Sequence, residues 1–184
     1  MATLFIFDFD DTLVDSDAEV RVTHDNGSVT SMSSESYAKY IELPGDTFDF
    51  SDFDSYPKNP EIIEPVFAEL RSAIAIEGSY NVVILTARSN PLPVELFLKE
   101  NNIVGVEVVA VASSDPYKKA RYILNRVKND TFDSVVVFED NARNIRTIRK
   151  TLSKKGVSLT TNRVSNGKVV DTRTESIRHP RRRS

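Results

Sequence analysis

The chain contains no cysteine, which excludes disulfide bonds, thiolate metal sites and cysteine nucleophiles and is compatible with a reducing compartment. No apolar run approaches the length of a membrane span. The N-terminal apolar stretch is too short for a secretory signal and leads straight into acids, so a soluble, cytoplasmic protein is expected. Basic residues are scarce over most of the length: residues 1–140 carry 11 Lys/Arg against 25 Asp/Glu, whereas residues 141–184 carry 13 against 2, an asymmetry hidden by the net charge of −3. The basic end suits nucleic acid or another polyanion; the plainer reading is a solvated helix face followed by a disordered tail, residues 179–184. No internal repeat is present. With 184 residues, 40% hydrophobic and 28% charged, the chain fits one domain over residues 1–178 with a substantial core and a small insertion over about residues 15–58.

Four segments read as buried parallel strands: Leu4–Phe7, Val82–Leu85, Val106–Val111 and Val135–Phe138. Each is short, rich in β-branched or aromatic residues, and lacks the alternation of a one-sided sheet. Helix patterns lie between them. The first opens at Asn59-Pro60 or Glu64-Pro65, with Ile62, Ile63, Val66, Phe67, Leu70 and Ile74 as its apolar stripe. A second runs from about Pro93 to Glu100. The third follows Asp115-Pro116 and buries Ala120, Ile123, Leu124 and Val127, and the fourth begins near Asn141 with Ile145, Ile148 and Leu152 inward and Arg143, Arg146, Arg149 and Lys150 mostly outward. Strands alternating with helices predict an α/β fold, a Rossmann-like three-layer sandwich with a central parallel sheet whose ligands sit at the carboxyl ends of the strands.

The segment after the first strand breaks that rhythm. Val20 to Thr30, with Asn26-Gly27 at its turn, reads as a hairpin, and a short helix is expected around Tyr37–Tyr40. Emerging just after the first acidic loop, the insertion is expected to form a small cap or flap over the site, its aromatics packing chiefly on one another. A second hairpin is expected over Arg163–Val170.

Chemistry concentrates where strands end. Leu4-Phe5-Ile6-Phe7 breaks abruptly into Asp8-Phe9-Asp10-Asp11-Thr12-Leu13, and carboxylates behind a buried strand carry a desolvation penalty unless a cation or a reaction uses them. Thr86 and the pair Glu139-Asp140 end two further strands, and Lys118-Lys119 follows the third helix cap. A hard cation such as Mg²⁺ suits such oxygens, and with Thr86 and a lysine it would let an aspartate attack an anionic phosphoryl group.

In order and spacing, the strings Asp8-Phe9-Asp10-Asp11-Thr12-Leu13, Val82-Val83-Ile84-Leu85-Thr86-Ala87-Arg88, Lys118-Lys119 and Val135-Val136-Val137-Phe138-Glu139-Asp140 resemble the four motifs of the haloacid dehalogenase superfamily of phosphohydrolases, over roughly residues 1–155. The resemblance implies Asp8 as nucleophile, Asp10 as acid and then base, Thr86 on the phosphoryl group, and a lysine neutralising it. Lys118 is preferred for that lysine, because it follows an aromatic and lies nearer the helix start; Lys119 is the alternative. Mg²⁺ would be held by Asp8, by the backbone carbonyl of Asp10, and by Glu139 or Asp140, the family's commoner pair being two aspartates. Arg88 would touch substrate, contact the site's acids or form a structural salt bridge, and Asp11 would be a loop acid.

The expected activity is a Mg²⁺-dependent phosphatase. A small cap, a basic C-terminal third and a Leu-Thr-Ala-Arg string similar to nucleotidase and polynucleotide 3′-phosphatase branches favour a nucleotide or a nucleic-acid 3′-phosphate end over another small phosphorylated metabolite. The rivals of another class are a phosphate-binding or phospho-receiver module and a nucleic-acid-binding protein with a structural metal site.

Overall fold

A computed structural model describes residues 2–176 of the chain; the basic tail expected at residues 179–184 lies outside them. Eleven strands and five α-helices lie along the described residues. The main sheet is built from β1 (Thr3–Phe7), β7 (Val82–Thr86), β8 (Glu107–Ala110), β9 (Ser134–Glu139), β10 (Ser158–Ser165) and β11 (Lys168–Glu175), in the order β11-β10-β9-β1-β7-β8. All neighbours run parallel except β10 and β11. The expected α/β class holds, with six strands in the sheet rather than four.

Strands buried on both faces need apolar side chains at every position, and β1, β7 and β9 supply them. Leu4, Ile6, Val83, Leu85, Val135 and Val137 face a core completed by Ala120 and Ile123 of α4 (Pro116–Asn129) and Ile148 and Leu152 of α5 (Ala142–Leu152). Phe7, Val82, Ile84 and Phe138 face the opposite core, completed by Val66, Phe67 and Leu70 of α2 (Glu64–Glu77) and Val94, Phe97 and Leu98 of α3 (Leu92–Glu100). Two helices therefore cover each face. Phe7 and Phe138 stack across neighbouring strands with centroids 4.8 Å apart, and each such fully buried side chain contributes about 1.5–3 kcal/mol.

Local chemistry fixes the helix starts. Pro65 lies in the first turn of α2, where its missing N–H costs nothing, so the helix opens at Glu64-Pro65 and not at Asn59-Pro60. Asp115 caps α4 by accepting from the Tyr117 N–H, and Asn141 caps α5 by accepting from Arg143 and Asn144.

The connection from β1 to α2 carries the insertion. Its body is a three-stranded antiparallel sheet in the order β4-β3-β5, from β3 (Glu19–Thr23), β4 (Val29–Ser33) and β5 (Thr47–Asp49), with helix α1 (Ser34–Ala38) following β4. The short strands β2 (Val14–Asp15) and β6 (Glu61–Ile62) pair at its base. The hairpin expected at Asn26-Gly27 forms, and the short helix ends at Ala38, nearer the N-terminus than expected. Tyr37 packs edge-to-face on Phe48 and Phe50 at 5.5 and 5.2 Å.

The C-terminal hairpin is longer than Arg163–Val170. Asn166 and Gly167 both hold positive φ, 49° and 72°, the backbone that a two-residue type I′ turn requires, and β10 continues into the core as a parallel neighbour of β9. Its polar composition hid it. Among the described residues no helix is long and apolar enough to cross a membrane.

Candidate active site

The chain steps outward from β1 to β7 and β8 and then crosses back to β9 on the other side of β1, so the carboxyl end of β1 opens into the crevice where α/β folds gather ligands. Asp8, the next residue, donates its N–H to the Phe138 carbonyl at 2.9 Å, which extends the ladder by one residue and fixes where its carboxylate stands. A tight turn follows, with the Leu13 and Val14 amides both donating to the Phe9 carbonyl. Asp11 occupies its left-handed position at φ 60°, a conformation that aspartate tolerates better than most residues.

Asp8 is 7% exposed. One of its oxygens accepts from Lys119 Nζ at 2.7 Å and the other from Thr12 Oγ1 at 3.1 Å. Lys119 Nζ also donates to Glu139 Oε2 at 2.8 Å, while Glu139 Oε1 accepts from the Asn141 N–H at 3.1 Å. Asp140 completes the group: Asp8, Glu139 and Asp140 each offer an oxygen within 4.8 Å of the others. Three carboxylates thus stand beside one ammonium, which contacts only Asp8 and Glu139.

The titration directions follow from that imbalance. Burial, reinforced by Glu139, pushes the Asp8 carboxyl up against the pull of Lys119. Burial and the charges of Asp8 and Glu139 push Asp140 well above the ordinary carboxylate range. For Glu139 burial acts upward, yet Lys119 with its hydrogen bond outweighs it and the net direction is down. For Lys119 burial acts downward, and the two facing carboxylates overcome it to hold the ammonium charged. Asp140 has no cationic side chain within 4.0 Å among the described residues. A divalent cation on the three oxygens would offset the repulsion that one lysine leaves, so the donor set fits a hard metal ion.

Of the two lysines it is Lys119, and not the preferred Lys118, that reaches the acid cluster. Lys119 is 3% exposed and lies on the face of α4 that buries Ala120 and Ile123, whereas Lys118 is exposed. One residue turns the side chain by about 100° around a helix, enough to carry it from core to solvent.

Asp10 is not among the converging oxygens. Its two carboxylate oxygens accept from Arg88 Nε and Nη2, both at 2.8 Å. Arg88, itself 4% exposed, also donates from Nη1 to the carbonyls of Phe53 and Ser55 at 2.9 and 2.7 Å and lies over the rings of Phe9 and Phe53. It therefore ties the acid loop to the insertion. Thr86 ends β7, and its hydroxyl accepts from the Arg88 N–H at 3.2 Å.

Asp8, Asp10, Thr86, Arg88, Lys119, Glu139 and Asp140 line one cavity of about 620 Å³, closed on another side by Val20, Tyr37, Phe50 and Phe53 of the insertion. The sequence reading assigned no role to Thr12, although it stands in the first motif. Nor did it foresee the Ser34 hydroxyl donating to Asp11, a contact no local pattern encodes. Burial pushes the Asp11 carboxyl up to about 6 against that bond. Asn141 caps a helix, as expected.

The chain matches no protein-family model, no curated protein and no solved structure.

Proposed function

We propose that the protein is a Mg²⁺-dependent phosphomonoester hydrolase working through an aspartyl-phosphate on Asp8, with a nucleotide or a nucleic-acid 3′-phosphate end as substrate. The observation that carries this reading is the buried cluster behind β1, where Asp8 stands with Lys119, Glu139 and Asp140 in the lining of a cavity. Asp8, Glu139 and Asp140 would hold the ion, which would neutralise phosphoryl oxygens. Asp140, with no counter-charge of its own, is the stronger ligand; Glu139 is already held by Lys119 and the Asn141 amide.

An Asp8 oxygen attacks phosphorus, the ester P–O bond breaks, and Asp10 gives a proton to the leaving oxygen. Asp10 then takes a proton from water, whose oxygen attacks phosphorus, releasing phosphate and restoring Asp8. Lys119 and Thr86 face the transferred group and stabilise its charge. Arg88 holds Asp10 at rest, so proton transfer needs Asp10 to leave that fork. Because Arg88 also binds the carbonyls of Phe53 and Ser55, the insertion acts as a cap whose position governs when Asp10 is free.

Phosphate release should be measured from mononucleotides, 3′-phosphorylated oligonucleotides and sugar phosphates. The expected result is Mg²⁺-dependent release that falls by roughly 10³ or more in Asp8→Asn. Retained activity in that variant refutes the nucleophile, and equal activity on all three substrates refutes the nucleic-acid reading.

A further inference from the structure

A second cavity, of about 330 Å³, adjoins the first and shares Asp11, Ala38, Asp140, Asn141 and Arg143 with it. Its far wall carries Arg146 and Arg163. Arg143 and Arg146 lie three residues apart on α5 and so occupy one helix face. Arg163 is paired in register with Glu139, which sets it at the same carboxyl edge of the sheet as the acid cluster, one strand over.

These three arginines, Arg143 and Arg146 exposed and Arg163 half-buried, are not fastened as the buried cations are. Arg88, Lys119 and Arg126 are each tied to carboxylates, and Arg149, on the next turn of α5, donates twice to Thr161. Arg143, Arg146 and Arg163 form no ion pair within 4.0 Å among the described residues, although Asp11, Asp15, Glu35 and Asp140 line the same walls. Glu35 is occupied by Lys39. The Nε of Arg163 is buried without an acceptor, so no protein group fastens this guanidinium by that atom, and the residue lines the cavity.

We propose that this recess is a subsite for a second phosphate of the substrate, one that is bound and not cleaved. The proposal rests on the reading of Asp8 as the centre of phosphoryl chemistry. Three guanidinium groups match the forked recognition of a phosphate. The shared wall at Asp140 and Arg143 lets one molecule place its scissile phosphate on Asp8 and its second phosphate among the arginines. That second group is either the other phosphate of a nucleoside bisphosphate or the next phosphodiester of a strand end.

The test compares kcat/KM for adenosine 3′-monophosphate, adenosine 3′,5′-bisphosphate and a 3′-phosphorylated trinucleotide in the wild type, Arg146→Gln and Arg163→Gln. Arg146 is exposed, so its variant keeps the test open should the Arg163 variant fold poorly. The wild type should prefer the two-phosphate substrates. In the variants that preference should shrink at least about tenfold, the fold-change of one charge-assisted hydrogen bond, with the loss in KM. A larger arginine-dependent loss for the trinucleotide identifies a strand end, and a larger one for the bisphosphate identifies a nucleotide. An unchanged preference alongside robust phosphate release overturns the subsite and leaves the chemistry standing. Affinity of Asp8→Asn for the bisphosphate, measured by calorimetry with and without Arg146→Gln, reads the subsite without turnover. If no substrate is cleaved but the arginine variant still weakens binding, the subsite stands and the chemistry fails; equal affinities overturn the subsite.

Discussion

Two groups of buried acids stand in this molecule, and they are treated in opposite ways. In the insertion, Asp52 accepts from the Glu19 N–H, from Arg21 and from Lys58, all at 3.1 Å. That backbone bond, backed by the two cations, holds its carboxyl down at about 2 against the effect of burial. Nearby, Asp46 accepts from Tyr40 at 2.6 Å, from the Leu43 N–H at 2.9 Å and from His24 at 2.8 Å, and it too lies below the ordinary range, chiefly through the tyrosine bond. At the sheet edge, Asp8 and Asp140 are pushed up because burial and their neighbours outweigh one lysine. A carboxylate surrounded by donors is a fastener. One left short of positive charge in a cavity carries a repulsion that a bound cation would relieve.

The sharpest way to break that comparison is to remove the lysine. Lys119→Met strips the sheet-edge cluster of its counter-charge and should cost about 3–5 kcal/mol of stability, read by urea unfolding at pH 7, with phosphate release abolished. Without Lys119 the folded-state pKa values of Asp8 and Asp140 rise further above their unfolded values, and that of Glu139 is no longer held down. The deficit should therefore shrink as pH falls toward 4, where those acids bind protons in the folded state. Lys118→Met should stay within about 0.5 kcal/mol of the wild type; an equal loss in both would undo the assignment of the lysine.

Arg88→Lys keeps a positive charge but cannot hold both Asp10 oxygens and two carbonyls. Phosphate release should fall by about 10–100-fold, measured as kcat under saturating substrate. A change confined to KM would instead make Arg88 a substrate contact.

The smallest expected effect lies in the insertion. Asp52→Asn should lower stability by on the order of 1–2 kcal/mol at neutral pH. The folded pKa of Asp52 is depressed, so its contribution is fully present above the ordinary carboxylate range and is lost as pH falls from about 4 toward 2. Wild type and variant should converge there in thermal melts.

How much of this was legible in the sequence depended on whether a signal was local. The strands β1, β7 and β9 could be read because burial on both faces demands continuous apolar runs. Both hairpins could be read from their Asn-Gly pairs. The strand β10 could not: Ser158-Leu159-Thr160-Thr161-Asn162-Arg163 is polar at most positions, and its place is set by pairing with β9, not by its own composition. The acids of the site were visible as types at strand ends. The choice between Lys118 and Lys119 was not, because it turns on the rotation of α4 against the core. The Asp10–Arg88 fork joins residues 78 apart and the Lys119–Asp8 pair residues 111 apart. Only tertiary packing brings either together, as it does Arg163 and Arg143.

The most direct measurement of the central claim is the effect of Mg²⁺ on the thermal midpoint, since an ion that binds only the folded state stabilises it by mass action. With several millimolar Mg²⁺ the midpoint of the wild type and of Asp52→Asn should rise together, while Asp140→Asn should show little or no rise. An equal rise in Asp140→Asn, or no rise in the wild type, would contradict the account of the sheet-edge carboxylates as a cation site built for phosphoryl transfer.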